Sequence, residues 1–108
     1  MAHILISEPT EAIRQLMAHV AQQLGHTTSV FPDDACDVLV VELAWPAGRE
    51  LALRLRRQRP ELPIVCVSSR WLPAVAGELD TSAYLMKPFR LEGLRRALAR
   101  AVAEAQSA

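Results

Sequence analysis

The sequence predicts an α/β fold in which a parallel sheet is covered by helices on both faces, and three observations point to it. Short uninterrupted apolar runs at residues 4–6, 38–41 and 64–67 suit strands buried on both faces. Longer segments with apolar residues at helical spacing alternate with them. Two acids, Glu8 and Glu42, and one base, Lys87, each fall just past a strand. Parallel sheets gather functional groups at the carboxyl ends of their strands, so the three would converge on one edge.

The first strand covers residues 4–6. Ile13, Leu16, Met17, Val20 and Leu24 then recur at helical spacing, with Thr10 as N-cap and Gly25 as stop. Residues 27–31 are β-branched and aromatic and predict an outer strand, followed by a Pro32-Asp33-Asp34 turn. Residues 38–41 form the next buried strand. Pro46 opens a helix through about Arg59, with Leu51, Ala52 and Leu55 inward and Arg54, Arg56, Arg57 and Arg59 largely outward, and Pro60 closes it. Residues 64–67 are another buried strand, 73–79 a short helix, and 83–86 the last strand. Leu91, Leu94, Leu98, Ala101 and Val102 mark a C-terminal helix with Arg95, Arg96 and Arg100 on its exposed side and a frayed end at residues 105–108.

Only about six residues separate the second strand from the third, whereas a parallel crossover takes roughly a dozen or more. Either a very compressed loop joins these strands or the usual helix is absent, and the favoured expectation is a missing helix with an extended connection across that face. Apolar surface is left bare as a result, and a partner subunit is the natural cover.

At 108 residues the chain, residues 1–108, is a single domain. Twelve basic and twelve acidic residues cancel, so the whole domain has no attraction to nucleic acid or to an anionic membrane. No run reaches the roughly 20 apolar residues of a membrane span, and a cytoplasmic location is the default. Cys36 and Cys66 lack metal or redox spacing and read as small buried hydrophobes. His3, His19 and His26 share no spacing for a metal site. The four glycines, at 25, 48, 77 and 93, form no phosphate-binding loop. Neither a metal nor a cofactor is expected, and no catalytic set is suggested.

Taken in order, Ile4-Leu5-Ile6-Ser7-Glu8-Pro9, Leu39-Val40-Val41-Glu42 with Pro46 beyond it, Val65-Cys66-Val67-Ser68-Ser69 and Tyr84-Leu85-Met86-Lys87-Pro88-Phe89 resemble the receiver domain of two-component response regulators. The resemblance spans nearly the whole chain. It implies a flavodoxin-like, five-stranded parallel sheet and a role in phosphorelay signalling. It also assigns positions. Glu42 stands where the family has its phospho-acceptor aspartate, and Glu8 and Pro9 stand where two acids hold Mg²⁺. Ser68 matches the hydroxyl that bonds the phosphoryl group, Tyr84 the aromatic switch residue, and Lys87 the lysine that pairs with the acceptor.

Two departures touch the chemistry. Proline offers no side-chain oxygen to a hard cation. Glutamate is one methylene longer than aspartate, and phosphoryl transfer depends on positioning and charge stabilisation. The expectation is therefore an atypical, phosphorylation-independent receiver with a degenerate acidic pocket, a pseudo-receiver and not an enzyme. Lys87 would pair permanently with Glu42, and the domain would be locked in one state or released from control altogether. Plainer roles stand beside these: Lys87–Glu42 as a structural ion pair, Tyr84 as a core aromatic, Ser68 as a loop cap, and the arginines of the second helix as a solvated face.

Trp45 and Trp71 follow strand ends beside the pocket, as contact anchors or as packing over the vacated metal position. The implied partner is a signalling protein (a histidine kinase, a phosphotransfer protein or an output regulator). The contact surface would be the last strand with its flanking helices, carrying Arg90, Arg95, Arg96 and Arg100. A homodimer would use that surface or the face without a helix. Two further readings are a phosphorylatable receiver of unusual chemistry and a flavodoxin-like nucleotide- or flavin-binding domain.

Overall fold

The computed structural model describes residues 1–32 and 35–107. Asp33 and Asp34, expected in a turn, and Ala108 lie outside the described residues. The elements are β1 (His3–Ser7), α1 (Glu11–Gln23), β2 (Thr27–Ser29), β3 (Val38–Val41), α2 (Pro46–Gln58), β4 (Ile64–Ser68), α3 (Pro73–Leu79), β5 (Ala83–Met86) and α4 (Leu91–Ser107). The five strands are all parallel and run in the order β2-β1-β3-β4-β5. This is the α/β sheet that the apolar runs predict.

Strand alternation divides the core in two. Ile4, Ile6, Val38, Val40, Val65 and Val67 face α1 and α4, meeting Met17, Val20, Leu94 and Leu98. Leu5, Leu39, Val41, Ile64 and Cys66 face α2 and α3, meeting Ala52, Leu55 and Leu79. Both faces of the central strands are thus covered, which is why their sequences are apolar throughout.

Helix α1 stops where Gly25 takes a φ of 91°. The Gly25 N–H donates to the Gln22 carbonyl and the His26 N–H to the Ala21 carbonyl, a Schellman closure. At the other end Thr10 sits at the cap position, but its side chain makes no capping bond. The Glu8 carboxylate instead accepts the Thr10 N–H at 3.0 Å, so the acid organises that turn.

Several expectations need correction. Strand β2 ends at Ser29, not Phe31, because it pairs with β1 only as far as Leu5. Phe31 is consequently 78% exposed. Between Ser29 and Val38 there is no helix among the described residues, as the short spacing implies. Arg56 and Arg59 are half-buried and do not lie on a solvated face. Arg56 donates to the carbonyls of Leu79, Arg59 and Pro60, and Arg59 donates to the carbonyl of Cys36, tying α2 to neighbouring loops. The C-terminal end does not fray over 105–107: α4 runs through Ser107, with Ala101 and Val102 in the core and Ala105 packed against it. No helix among the described residues is long and apolar enough to cross a membrane.

One close approach fixes where α2 begins. A Cβ added at Gly48 would lie 2.6 Å from the Glu42 carbonyl oxygen and 3.1 Å from Val41 Cγ2. Only glycine lets the first turn of α2 press against the end of β3.

Candidate functional site

Strand register assembles the site. Ser7 pairs with Val41, so the next residues, Glu8 and Glu42, leave the sheet side by side. Ser68 pairs with Met86, which brings Lys87 to the same edge. The Lys87 N–H donates to the Ser68 carbonyl at 2.8 Å, extending the ladder one residue beyond β5. The Lys87–Pro88 peptide is cis.

All three charged side chains meet. Lys87 Nζ lies 2.6 Å from Glu8 Oε1 and 3.0 Å from Glu42 Oε1. Both acids are buried, with Glu8 only 2% exposed. Backbone donors take the remaining oxygens. Glu42 Oε2 accepts the Ala44 N–H at 2.9 Å, and Glu42 Oε1 also accepts the Ser69 N–H at 3.1 Å. Burial alone would push the Glu42 pKa up. The Ser68 hydroxyl, the Ala44 N–H, Lys87 and the Ser69 N–H outweigh it and hold Glu42 below its ordinary value. Lys87 has the mirror-image balance: burial lowers its pKa, but Glu8 and Glu42 raise it by more. The triad carries one net negative charge, held by internal donors.

A shallow opening lined by Glu8, Pro9, Thr10, Glu42, Trp45 and Lys87 leads to this cluster. A divalent cation needs several free oxygen ligands. Here the Lys87 ammonium already sits between Glu8 and Glu42 and bonds both, and Pro9 supplies no side-chain oxygen, so the site is one carboxylate short and holds a cation of its own. The donor set does not fit Mg²⁺. Among the described residues no group of His, Cys, Asp and Glu is arranged for a metal.

Ser68 is fully buried at the end of β4, and its Oγ accepts the Arg70 N–H at 3.1 Å, so it closes a loop as well as facing Glu42. Tyr84 is half-buried. Its hydroxyl donates to the Arg70 carbonyl and accepts the Leu72 N–H at 3.1 Å. Trp71 packs edge-on to it, with ring centroids 4.7 Å apart at 71°. Trp71 is therefore not packed over the acid site; Trp45 is the tryptophan that lines it. Cys66, beneath the site, is buried in β4, and burial pushes its thiol up to about 11.

Sequence reasoning paired Lys87 with Glu42 and missed that the shorter contact is to Glu8. It also missed Thr10, Ala44 and Ser69, whose N–H groups hold the acids. Backbone donors leave no trace in side-chain identity, so no motif could have revealed them.

Solved structures share this architecture. A response regulator receiver domain protein (CheY-like) from Methanospirillum hungatei superposes with a TM-score of 0.85 at 16% identity, covering 99% of this chain and 98% of that one. The Vibrio cholerae chemotaxis protein CheY4 superposes with a TM-score of 0.80 at 24% identity, covering 94% of this chain and 98% of that one. The fold is the receiver fold. In sequence, the DNA-binding transcriptional regulator NtrC of Azospirillum brasilense is 28% identical over 116 aligned positions, covering 94% of this chain. That of Rhizobium meliloti is 27% identical, covering 95%. The chain spans 24% of the length of these regulators. No family model matches it.

Proposed function

We propose that this receiver-fold domain is a phosphorylation-independent module of two-component signalling that acts by protein–protein contact. The observation that carries the reading is the Lys87 ammonium, 2.6 Å from Glu8 and 3.0 Å from Glu42, beside Pro9, which offers no side-chain oxygen to a cation. Glu42 stands at the acceptor position, and its carboxylate is occupied by Lys87 and two backbone N–H groups. An in-line attack on a phosphoryl donor requires a free, metal-supported carboxylate oxygen. This pocket offers none, and Glu8 with Pro9 makes a degenerate acidic pair.

Glu42 acts instead as a fixed negative charge. It carries less charge than a phosphoryl group, which contributes about −1.5 to −2 near neutral pH, but the charge is permanent. Ser68 and Lys87 answer it continuously, and Tyr84 is held by Arg70 and Leu72. The partner is a kinase, phosphotransfer protein or output regulator docking on β5, α3 and α4. Arg90 is exposed there and forms no ion pair among the described residues. Arg96 and Arg100 are paired within α4 to Glu92 and Glu104 at 3.4 and 3.6 Å.

Incubation with acetyl phosphate and Mg²⁺, read by intact mass, tests the proposal. No phosphoryl adduct is expected, and beryllofluoride with Mg²⁺ should leave the thermal midpoint unchanged. A mass gain abolished by Glu42→Gln would overturn it.

A further inference from the structure

Edge strand β2 has only three residues, and two histidines supplement its few backbone bonds to β1. His3, in β1, reaches across with both ring nitrogens. Its Nδ1 lies 2.8 Å from Thr27 Oγ1 and its Nε2 3.0 Å from Ser29 Oγ. His26, the residue before β2, reaches back, and its Nδ1 accepts the Ala2 N–H at 3.1 Å. The His26 N–H donates to the Ala21 carbonyl, and the Thr27 N–H donates to the Ala2 carbonyl at 3.0 Å. His26 thus ties the end of α1 and the start of β2 to the residue before β1.

We propose that this tie is an acid-sensitive fastening, which loosens β2 and the connection after it when His26 becomes cationic. A neutral imidazole has one acceptor nitrogen and an imidazolium has none. Cationic His26 therefore presents an N–H where it must accept one. The Ala2 N–H, in a residue only 4% exposed, loses its acceptor and faces a positive charge. His3 does not respond in this way. Hydroxyls donate or accept by rotating, so Thr27 and Ser29 can accept from both nitrogens of a charged His3. A backbone N–H cannot reverse, which makes His26 the sensor.

The groups facing His26 set the range. The Met1 ammonium opposes its protonation, and burial opposes it more, so the pKa lies below the ordinary 6.5. From β1 come His3 and, through the His3 N–H, the Asp37 carboxylate at 2.8 Å. The last turn of α1, Val20 to Gln23, carries no charge. Glu42 is held below 4.5 and Lys87 above 10.5, so neither changes charge just below 6.5. Beyond β2, Val30 lines both the cleft beside α2 and a smaller opening with Arg14 and Phe31. Loosening β2 remodels that surface, whether or not Glu42 can be phosphorylated.

Amide hydrogen exchange, read residue by residue by NMR, tests the fastening. Between about pH 7.5 and about pH 5, protection of the Thr27 N–H should fall by about fivefold or more, while that of Val65 in the central sheet stays level. In His26→Asn the side-chain oxygen can accept the Ala2 N–H at either pH, so Thr27 protection should no longer depend on pH. His26→Ala, with no acceptor, should show the low protection at both. Unchanged Thr27 protection in the wild type, a fall that persists in His26→Asn, or an equal fall at Val65 would each overturn the proposal.

Discussion

Lys87 is bonded more closely to Glu8 than to Glu42, at 2.6 Å against 3.0 Å. The pair joins the end of β1 to the residue after β5, strands separated in the sheet by β3 and β4. Lys87 is thus a clamp across the carboxyl edge of the sheet as well as a counter-ion.

Removing that clamp leaves two buried carboxylates facing each other. Lys87→Ala should destabilise the domain by about 3 kcal/mol, the usual cost of stranding a buried charge, measured by urea denaturation. Glu8→Gln and Lys87→Ala should be non-additive by about 1–3 kcal/mol in a double-mutant cycle. Additive losses would mean that the 2.6 Å contact carries no energy of its own.

Stability should fall at both ends of the pH scale. Glu42 has a folded pKa below its ordinary 4.5. Its contribution is complete above that value and is lost as pH falls through the depressed folded value. Lys87 is raised above 10.5. Its contribution is complete below that value and is lost as pH rises through the raised one. His26 adds a gentler acid limb: burial lowers it from 6.5, and its Nδ1 accepts the Ala2 N–H at 3.1 Å, so its contribution fades as pH falls below 6.5. Thermal midpoints across pH should show the lowest-pH loss flattened in Glu42→Gln and the alkaline loss flattened in Lys87→Ala.

Two glycines in helices should respond oppositely to alanine. At Gly48 the new methyl would meet the Glu42 carbonyl at 2.6 Å, so Gly48→Ala should cost about 1–3 kcal/mol through overpacking. At Gly77, inside α3, a Cβ meets nothing within 4 Å, and Gly77→Ala should stabilise by up to about 1 kcal/mol through helix propensity. Denaturant midpoints of the two variants should move in opposite directions.

Cys66 should be inert while the domain is folded. With its thiol pushed up to about 11, only about one molecule in ten thousand carries a thiolate near pH 7. Iodoacetamide labelling, mapped by mass spectrometry, should reach Cys66 only after denaturant unfolds the chain.

Much of the fold was legible because buried parallel strands must be apolar on both faces, so residues 4–6, 38–41 and 64–67 announced themselves. The short helix Pro73–Leu79 and the strand Ala83–Met86 were also readable, bounded by Pro73, Asp80 and the Lys87-Pro88 pair. Edge strand β2 was read too long. Val30 and Phe31 have the composition of a strand but lie past its last partner, and composition cannot say where pairing stops. Arg56 and Arg59 were misread for a related reason: both bond carbonyls in loops, and helical periodicity does not see those. The convergence of Glu8, Glu42 and Lys87 followed from their places after strands. The order of closeness within the triad did not, because it depends on side-chain reach across a fold assembled from distant segments.

The contact between Gly48 and the end of β3 leaves no slack in the main chain. Helix α2 cannot slide toward the sheet without pushing the peptide that carries the Glu42 carboxylate. Force applied to the outer surface of that helix would therefore be felt at the acid cluster by direct mechanical transmission through the backbone, with no intermediary side chain to bend or absorb it.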